Sequence, residues 1–376
     1  MLANANGDTP ERSVPGHPAV TETIIATRDG AAGRLRLNRP KALHSLDLPM
    51  VRQMTAALRD WIADPDLRLV LIDHAEGRGF CAGGDVVTIA RAVESDEAAA
   101  RAFFFEEYRL NHLMYTFPKP GVVFMDGVTM GGGVGIACPC RFRVATERTA
   151  FAMPETTIGI FPDVGGGRYL SRLRGRLAQF LSLTGARLNG AECRKLRLAT
   201  HYIPSDRLDE VKARLVADPY RAEAILDEAE ADELPATPIT ARLALIDRCF
   251  APDTLPDILA CLDAEREGDT PEGSVPESGG AAGWAADTAV GIRAKSPTAC
   301  AISLRMLVES PKQPHFVDEM RMEYALMVRA IRFPDFREGV RALLIDKDRS
   351  PDWAPLAPVD PFFEPLPREE AWSPLP

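Results

Sequence analysis

Residues 122–137 of this 376-residue chain are VVFMDGVTMGGGVGIA, and residues 69–85 are LVLIDHAEGRGFCAGGD. Both stretches have one plan: an apolar strand, a turn, a group of glycines and the start of a helix. Glycines at a helix start leave backbone N–H groups unpaired and aligned with the positive end of the helix dipole. Such groups can bind an oxyanion, although glycines there also serve tight turns and close packing. The two segments together predict an oxyanion site more strongly than either alone.

The second glycine group lacks the spacing of a nucleotide-binding motif. A dinucleotide fingerprint needs Gly-x-Gly-x-x-Gly, but after Gly131 and Gly133 the third position is Ile136. A phosphate-binding P-loop needs a lysine, and Gly132 is followed by Gly133. The pattern therefore favours a small oxyanion over a nucleotide phosphate.

Strand and helix patterns alternate on both sides of these glycine groups. A hairpin is predicted over residues 20–38, helices over 46–62 and 98–115, strands over 69–73, 122–125 and 141–145, and a helix start over 131–137. This alternation predicts an α/β core with parallel strand pairing. We divide the chain into a loose segment (1–19), the α/β core (20–205), a helical region (206–350) with a loop at 267–283, and an extended tail (351–376).

Composition narrows the class of protein. A formal net charge of −10 argues against nucleic-acid binding, which needs a surplus of basic residues. No apolar stretch reaches the ~18–20 residues of a membrane span, and the first 20 residues lack a signal core or an Arg-rich transit pattern. We expect a soluble, cytoplasmic protein without a membrane partner, whose seven scattered cysteines are reduced.

The sequence also lacks the motifs of two common hydrolase classes. The six histidines form neither His-x-x-x-His nor His-Glu-x-x-His, and no Gly-x-Ser-x-Gly elbow occurs. We expect no metal site and no cofactor.

Three strings resemble the crotonase superfamily, whose members bind acyl-CoA and stabilise an enolate or a tetrahedral oxyanion. They are GRGFCAGGD (77–85), GVTMGGGVG (127–135) and FAMPETTIGIFPDVGGG (151–167). The last string, with FFFEEYRLN (103–111), KSPTACAISLRML (295–307) and FREGVRALLIDKDRSPDW (336–353), closely resembles the 3-hydroxyisobutyryl-CoA hydrolases. The resemblance covers roughly residues 24–353. It implies an α/β crotonase-like spiral of β-β-α units with a helical C-terminal region.

The resemblance also implies roles for single residues. By motif position, the backbone N–H groups of Gly84 and Gly132 would be the oxyanion donors. Glu155 would be the acid–base or nucleophilic carboxylate, Asp163 its partner, and Glu107 a further substrate contact.

The residues themselves give partial support for these acids. Glu155 and Asp163 lie among apolar residues, and burial there would raise their affinity for a proton. An exposed acid in a first helical turn after a proline is the alternative. Glu107 alone would equally fit a solvated position beside an aromatic face. Asp85 fits a helix cap.

The coenzyme contacts are the least specific. The segment Asn38-Arg39-Pro40-Lys41-Ala42-Leu43 resembles the family segment along the adenine and phosphate end of coenzyme A. Arg39, Lys41 and Ala42 are therefore candidate substrate contacts, and Lys347 is a similar one. Basic residues in a turn are also commonly just solvated.

The sequence thus predicts a metal-independent hydrolase of a short, branched 3-hydroxyacyl-CoA, of the valine-degradation type. In this prediction coenzyme A is part of the substrate. The alternatives are an enoyl-CoA hydratase or isomerase on the same fold and a non-catalytic acyl-CoA-binding protein. The resemblance places the second glutamate of the hydratases at the position of Gly135. Because glycine has no side chain to hold or deprotonate water, this residue disfavours hydration. A homo-oligomer is compatible with the resemblance, since crotonase relatives often form trimers.

Overall fold

The computed structural model describes residues 22–268 and 280–376. The segment predicted as loose (1–19) lies outside this range. The centre of the loop predicted at 267–283 also lies outside this range. Helices extend into both described ends of that predicted loop.

Ten strands form two sheets within residues 22–268 and 280–376. They are β1 (Ile24–Asp29), β2 (Ala32–Leu37), β3 (Leu69–His74), β4 (Gly79–Cys81), β5 (Gly121–Met125), β6 (Val128–Met130), β7 (Phe142–Ala145), β8 (Ala150–Ala152), β9 (Leu188–Asn189) and β10 (His201–Tyr202). The six-stranded sheet has the order β1-β2-β3-β5-β7-β10, and the four-stranded sheet has the order β4-β6-β8-β9. β1 pairs with β2 as the predicted antiparallel hairpin, and the other pairs of the larger sheet are parallel.

The two sheets are built by one repeated step. Each of β3, β5 and β7 in the larger sheet is followed by a short strand, β4, β6 or β8, in the smaller sheet. After β4 and β6 the chain enters a helix, so the β-β-α spiral predicted from the resemblance is confirmed. The smaller sheet was not predicted, because strands of two or three residues carry no readable alternation.

Both faces of the larger sheet are buried, which explains the continuous apolar runs in β3 and β5. Leu69 and Leu71 face one core, together with the helices after residue 206. Val70 and Ile72 face the main core, which extends under the glycine groups. Alternate residues of one strand thus join two cores.

Fifteen α-helices surround the sheets in the described part of the chain. They are α1 (Leu48–Ala63), α2 (Val86–Ser95), α3 (Glu97–Tyr115), α4 (Gly132–Ala137), α5 (Gly166–Leu170), α6 (Leu177–Thr184), α7 (Gly190–Lys195), α8 (Leu208–Ala217), α9 (Ala222–Ala229), α10 (Leu243–Cys249), α11 (Leu255–Gly268), α12 (Ala281–Arg293), α13 (Pro297–Glu309), α14 (Phe316–Ala330) and α15 (Pro334–Val340). None of those described is long and apolar enough to cross a bilayer. All seven cysteines are free.

The C-terminal residues lie against α3. The Trp372 side chain is buried, and its Nε1 donates a hydrogen bond to the carbonyl oxygen of Phe105 at 3.1 Å. Arg109, one turn later on α3, donates to the Ser373 carbonyl oxygen at 3.0 Å. The tail therefore supports the helix that carries Glu107.

Candidate active site

A pocket of about 410 Å³ opens where the two glycine groups meet α3 and the segment after β8. It is lined by backbone from both glycine groups, by three acids and by apolar side chains from several helices. Gly84, Gly132, Glu107, Glu155 and Asp163, five residues predicted for the site, all line it. The apolar lining comprises Val86, Ile89, Phe103, Phe104, Ile158, Ile160, Leu343 and Leu344.

The two glycine backbones lie side by side. Leu46 forms a parallel bridge with Gly84, in which the Leu46 N–H donates to Gly83 and the Asp85 N–H donates to Leu46. This pairing does not use the N–H of Gly84. Gly132 is the first residue of α4, and neither its N–H nor that of Gly84 donates a hydrogen bond in the described part of the chain. A Cβ added at Gly83 would lie 3.6 Å from the Gly132 nitrogen, so both free donors belong to one small site.

Glu155 is buried beside these donors. It begins a 3₁₀ turn (Glu155–Ile158) after Pro154, yet its side chain is only 6% exposed. The alternative of an exposed first-turn acid is therefore wrong. A Cβ added at Gly131 would lie 2.9 Å from Glu155 Oε1, and Oε2 has no partner among the described residues. Burial, with a smaller contribution from the charge of Asp163, raises the pKa of Glu155 well above its usual value.

Asp163 receives a hydrogen bond from a residue that the sequence did not single out. The Tyr108 hydroxyl donates to Asp163 Oδ2 at 2.7 Å, and both side chains are buried. Burial raises the pKa of Asp163 to about 6, and the Tyr108 hydrogen bond partly offsets this rise. A usable signal was present in the sequence, since Tyr108 directly follows Glu107 on the predicted helix.

Glu107 completes the group of acids. It is 2% exposed, and its Oε1 has no partner within residues 22–268 and 280–376. Burial, and then the charge of Asp163, raises its pKa well above the usual value. The alternative of a solvated acid is thus wrong for Glu107. Three buried acids around one pocket favour a state in which at least one carries a proton.

Position 135 has no room for a side chain. A Cβ added at Gly135 would lie 2.6 Å from the Cβ of Val164 and 2.8 Å from the Asn111 amide nitrogen. Both distances are shorter than ordinary contacts. The packing around position 135 therefore leaves no space for an acidic side chain there.

Two cationic residues at the pocket were not predicted. Lys295 is partly buried and donates from Nζ to the Thr157 hydroxyl at 2.8 Å, and burial lowers its pKa. Arg187 is exposed and lines the same pocket. Lys295 begins one of the strings that carry the family resemblance, but the string alone gives no reason to place it at the site.

The residues predicted to contact the coenzyme do not line this pocket. Arg39 pairs with Asp47 at 3.5 Å and with Asp85 at 3.1 Å, so its charge is already matched. Lys41 and Lys347 are exposed, and Ala42 ends a short 3₁₀ turn beside Lys41. Contacts of these four residues with a coenzyme stay predictions.

Asp85 caps α2, as predicted, since its side chain accepts a hydrogen bond from the Thr88 N–H at 3.3 Å.

Among the described residues, one group of side chains has ligand atoms close enough to hold a metal ion. It consists of His201, Asp227 and Glu230, and none of the three lines the pocket. Glu230 is already paired with the Arg194 guanidinium. This pairing places a positive charge where a cation would bind.

Comparisons with known proteins give a consistent set of relatives. A profile of the family described as enoyl-CoA hydratase/isomerase matches residues 32–360. The human protein named "3-hydroxyisobutyryl-CoA hydrolase, mitochondrial" is 38% identical over 347 residues, or 90% of this chain and 86% of the human one.

Two solved structures are similar over nearly their full lengths. A carnitinyl-CoA dehydratase from Mycobacterium thermoresistibile has a TM-score of 0.82 and 39% identity, covering 93% of this chain and 98% of its own. An enoyl-CoA hydratase from Rhodobacter sphaeroides 2.4.1 has a TM-score of 0.82 and 36% identity, covering 94% and 100%. The relatives thus carry names for hydrolysis and for hydration or dehydration of acyl-CoA.

Proposed function

This chain belongs to the enoyl-CoA hydratase/isomerase family of the crotonase superfamily, and from that premise we propose that it hydrolyses 3-hydroxyisobutyryl-CoA to 3-hydroxyisobutyrate and coenzyme A. The human relative named for this reaction matches 90% of the chain. The branched four-carbon product leads us to propose a role in valine degradation.

In the reaction that we propose, the thioester oxygen accepts hydrogen bonds from the N–H groups of Gly84 and Gly132. Negative charge grows on this oxygen as the carbonyl carbon becomes tetrahedral. Fixed donors stabilise that charge without reorganising, and each typically contributes about 3 kcal/mol to the transition state. The free N–H groups of two adjacent glycine backbones support this role.

Glu155 supplies the nucleophilic chemistry. Its carboxylate either attacks the carbonyl carbon or takes a proton from the water that attacks, and both routes need the ionised form. In either route the C–S bond breaks, the coenzyme A sulfur leaves with a proton, and water provides the new carboxylate oxygen of the product. Because burial raises the pKa of both Glu155 and Asp163, and both act in the ionised form, we expect activity to increase with pH on the acidic side and both groups to contribute to this limb.

Asp163 and Glu107 bind the 3-hydroxyl group. Asp163 has a pKa of about 6 and is mostly ionised at neutral pH, so it can accept the hydroxyl hydrogen. Glu107, whose pKa burial raises well above its usual value, can carry a proton and donate to the hydroxyl oxygen. One acceptor and one donor would fix the hydroxyl, and this arrangement favours a 3-hydroxyacyl substrate over a plain acyl chain.

A single observation favours hydrolysis over hydration: there is no space for a side chain at Gly135. The family's hydratases hold water between two glutamates, and the second would stand at this position. Val164 and Asn111 leave no space for it. Hydration of an enoyl-CoA is the second candidate function, because one similar structure carries the name of a hydratase.

The direct experiment is release of free thiol from a panel of acyl-CoA thioesters. We expect the highest kcat/KM with 3-hydroxyisobutyryl-CoA, and a lower value with isobutyryl-CoA, which lacks the hydroxyl. Equal rates with both would contradict the binding role of Asp163 and Glu107. No thiol release from any thioester would overturn the proposed function.

A further inference from the structure

The run of three glycines after Asp163 is not explained by the chemistry of the pocket. Val164 and Gly165 both adopt left-handed backbone conformations, with φ of +54° and +87°. A Cβ added at Gly167 would lie 2.2 Å from Ser310 Oγ and 2.7 Å from Glu319 Oε1. The glycines thus let the backbone behind Asp163 approach the start of α14.

Two buried glutamates on α14, Glu319 and Glu323, lie where this backbone comes close to the helix. Glu323 Oε2 accepts a hydrogen bond from the Gly165 N–H at 2.8 Å, although 158 residues separate the two in sequence. The Ser310 hydroxyl donates to Glu319 Oε1 at 2.6 Å. Neither glutamate side chain is accessible to solvent.

Glu319 and Glu323 lie four residues apart on one helix, and Glu319 Oε2 and Glu323 Oε1 have no partner among the described residues. Burial, with a smaller contribution from the charge of Glu319, raises the pKa of Glu323 well above its usual value. Burial also raises the pKa of Glu319. Two buried carboxyl groups this close favour a state in which at least one carries a proton.

One further charge that affects the pKa of Glu323 belongs to the active site. Asp163 contributes to the rise in its pKa, and Glu323 in turn contributes to the rise in the pKa of Tyr108. Glu323 also bonds the backbone two residues after Asp163, so it lies near the Tyr108–Asp163 hydrogen bond.

We propose that Glu323 is a positioning residue: its buried carboxyl group accepts a hydrogen bond from the Gly165 N–H, and this bond fixes the turn of residues 163–165 and so the direction of the Asp163 carboxylate. This inference rests on the proposed function, because it assigns Glu323 a role in the hydrolysis of the same substrate. The glycine run allows the close approach of the turn to α14.

Two substitutions at one position test this role. Glu323→Gln keeps an oxygen for the Gly165 N–H, so kcat should stay within about threefold of wild type. Glu323→Leu keeps the approximate volume but removes this bond. Small displacements of catalytic groups cost up to ~10²-fold, so its kcat should fall about tenfold or more. KM should rise by a smaller factor than kcat falls, because the contact of Asp163 with the hydroxyl is weakened while most of the pocket lining is untouched.

Two further readouts separate positioning from a general loss of structure. In Glu323→Leu, Asp163 loses its alignment with the Tyr108 hydroxyl, which lowers its pKa in the wild type. The acidic limb of the kcat/KM profile should therefore move to higher pH. Deuterium uptake by a peptide that covers residues 161–168 should increase in Glu323→Leu and not in Glu323→Gln.

Three results would overturn the proposal. The first is a folded Glu323→Leu enzyme with the kcat and pH profile of wild type. The second is a Glu323→Gln enzyme as impaired as Glu323→Leu, because kcat would then not depend on the hydrogen bond to the Gly165 N–H. The third is a uniform increase in deuterium uptake over the whole chain in Glu323→Leu. A wild-type protein that releases no thiol would overturn the proposed function instead, and the exchange comparison would still decide the role of Glu323.

Discussion

Replacing Tyr108 by phenylalanine removes one hydroxyl group from the site and leaves the packed ring in place. That hydroxyl donates to Asp163 Oδ2 at 2.7 Å, and both side chains are at least 95% buried. A hydrogen bond to a charged group contributes about 1.5–3 kcal/mol, and one pKa unit corresponds to about 1.4 kcal/mol. Because the bond stabilises the ionised form, its loss should raise the pKa of Asp163 from about 6 by roughly one to two units.

The assay is kcat/KM for thiol release from 3-hydroxyisobutyryl-CoA between about pH 5 and pH 9. The acidic limb of the Tyr108→Phe profile should move up by roughly one to two pH units, while the plateau at high pH stays within about threefold of wild type. Tyr324→Phe is the matched control, since it removes a hydroxyl from a ring 6.2 Å from that of Tyr108 and leaves the Tyr108–Asp163 bond in place. An unchanged profile in Tyr108→Phe, or an equal loss at every pH, would refute the reasoning.

The remaining predictions concern the glycines and Glu155. Gly132→Pro should lower kcat by ~10² or more relative to Gly132→Ala, since both add a Cβ that meets Glu107 at 2.5 Å but only proline removes the N–H. Glu155→Gln should bind acyl-CoA in calorimetry and release almost no thiol, because an amide neither attacks nor accepts the proton of water. Gly135→Glu should lower the free energy of unfolding by several kcal/mol, measured in urea, and gain no hydratase activity, because its Cβ would lie 2.6 Å from Val164.

Each of these has a contrary outcome. Equal kcat values for the proline and alanine variants at position 132 would dismiss the oxyanion role of that N–H. Normal turnover by Glu155→Gln would transfer the chemistry to another acid. A stable Gly135→Glu variant that hydrates crotonyl-CoA would show that position 135 can hold the second glutamate.

The main elements of the fold could be predicted because long segments carry their own pattern. The helix of residues 46–62 has buried residues at three- and four-residue steps, and the structure places it at Leu48–Ala63. The short strands of the smaller sheet could not be predicted, because Gly79–Cys81 and Ala150–Ala152 are strands only through their partners. Pairing between distant segments decides such elements.

The candidate site divides in the same way. Gly84, Gly132 and Glu155 lie in motifs whose local order is recognisable, and the structure brings them to one pocket. The Tyr108–Asp163 bond joins residues 55 apart, so no local pattern reports it. The ion pair of Arg39 with Asp85 joins residues 46 apart, and it too was not predicted. Contacts of this range depend on the folded backbone.

The central claim is that the enzyme hydrolyses a thioester rather than hydrating a double bond, and one paired measurement tests it most directly. The protein is given 3-hydroxyisobutyryl-CoA and crotonyl-CoA in separate reactions, with free thiol followed in the first and enoyl absorbance in the second. We predict rapid thiol release from 3-hydroxyisobutyryl-CoA and little loss of absorbance from crotonyl-CoA. Rapid hydration of crotonyl-CoA with no thiol released from the hydroxyacyl substrate would contradict the claim.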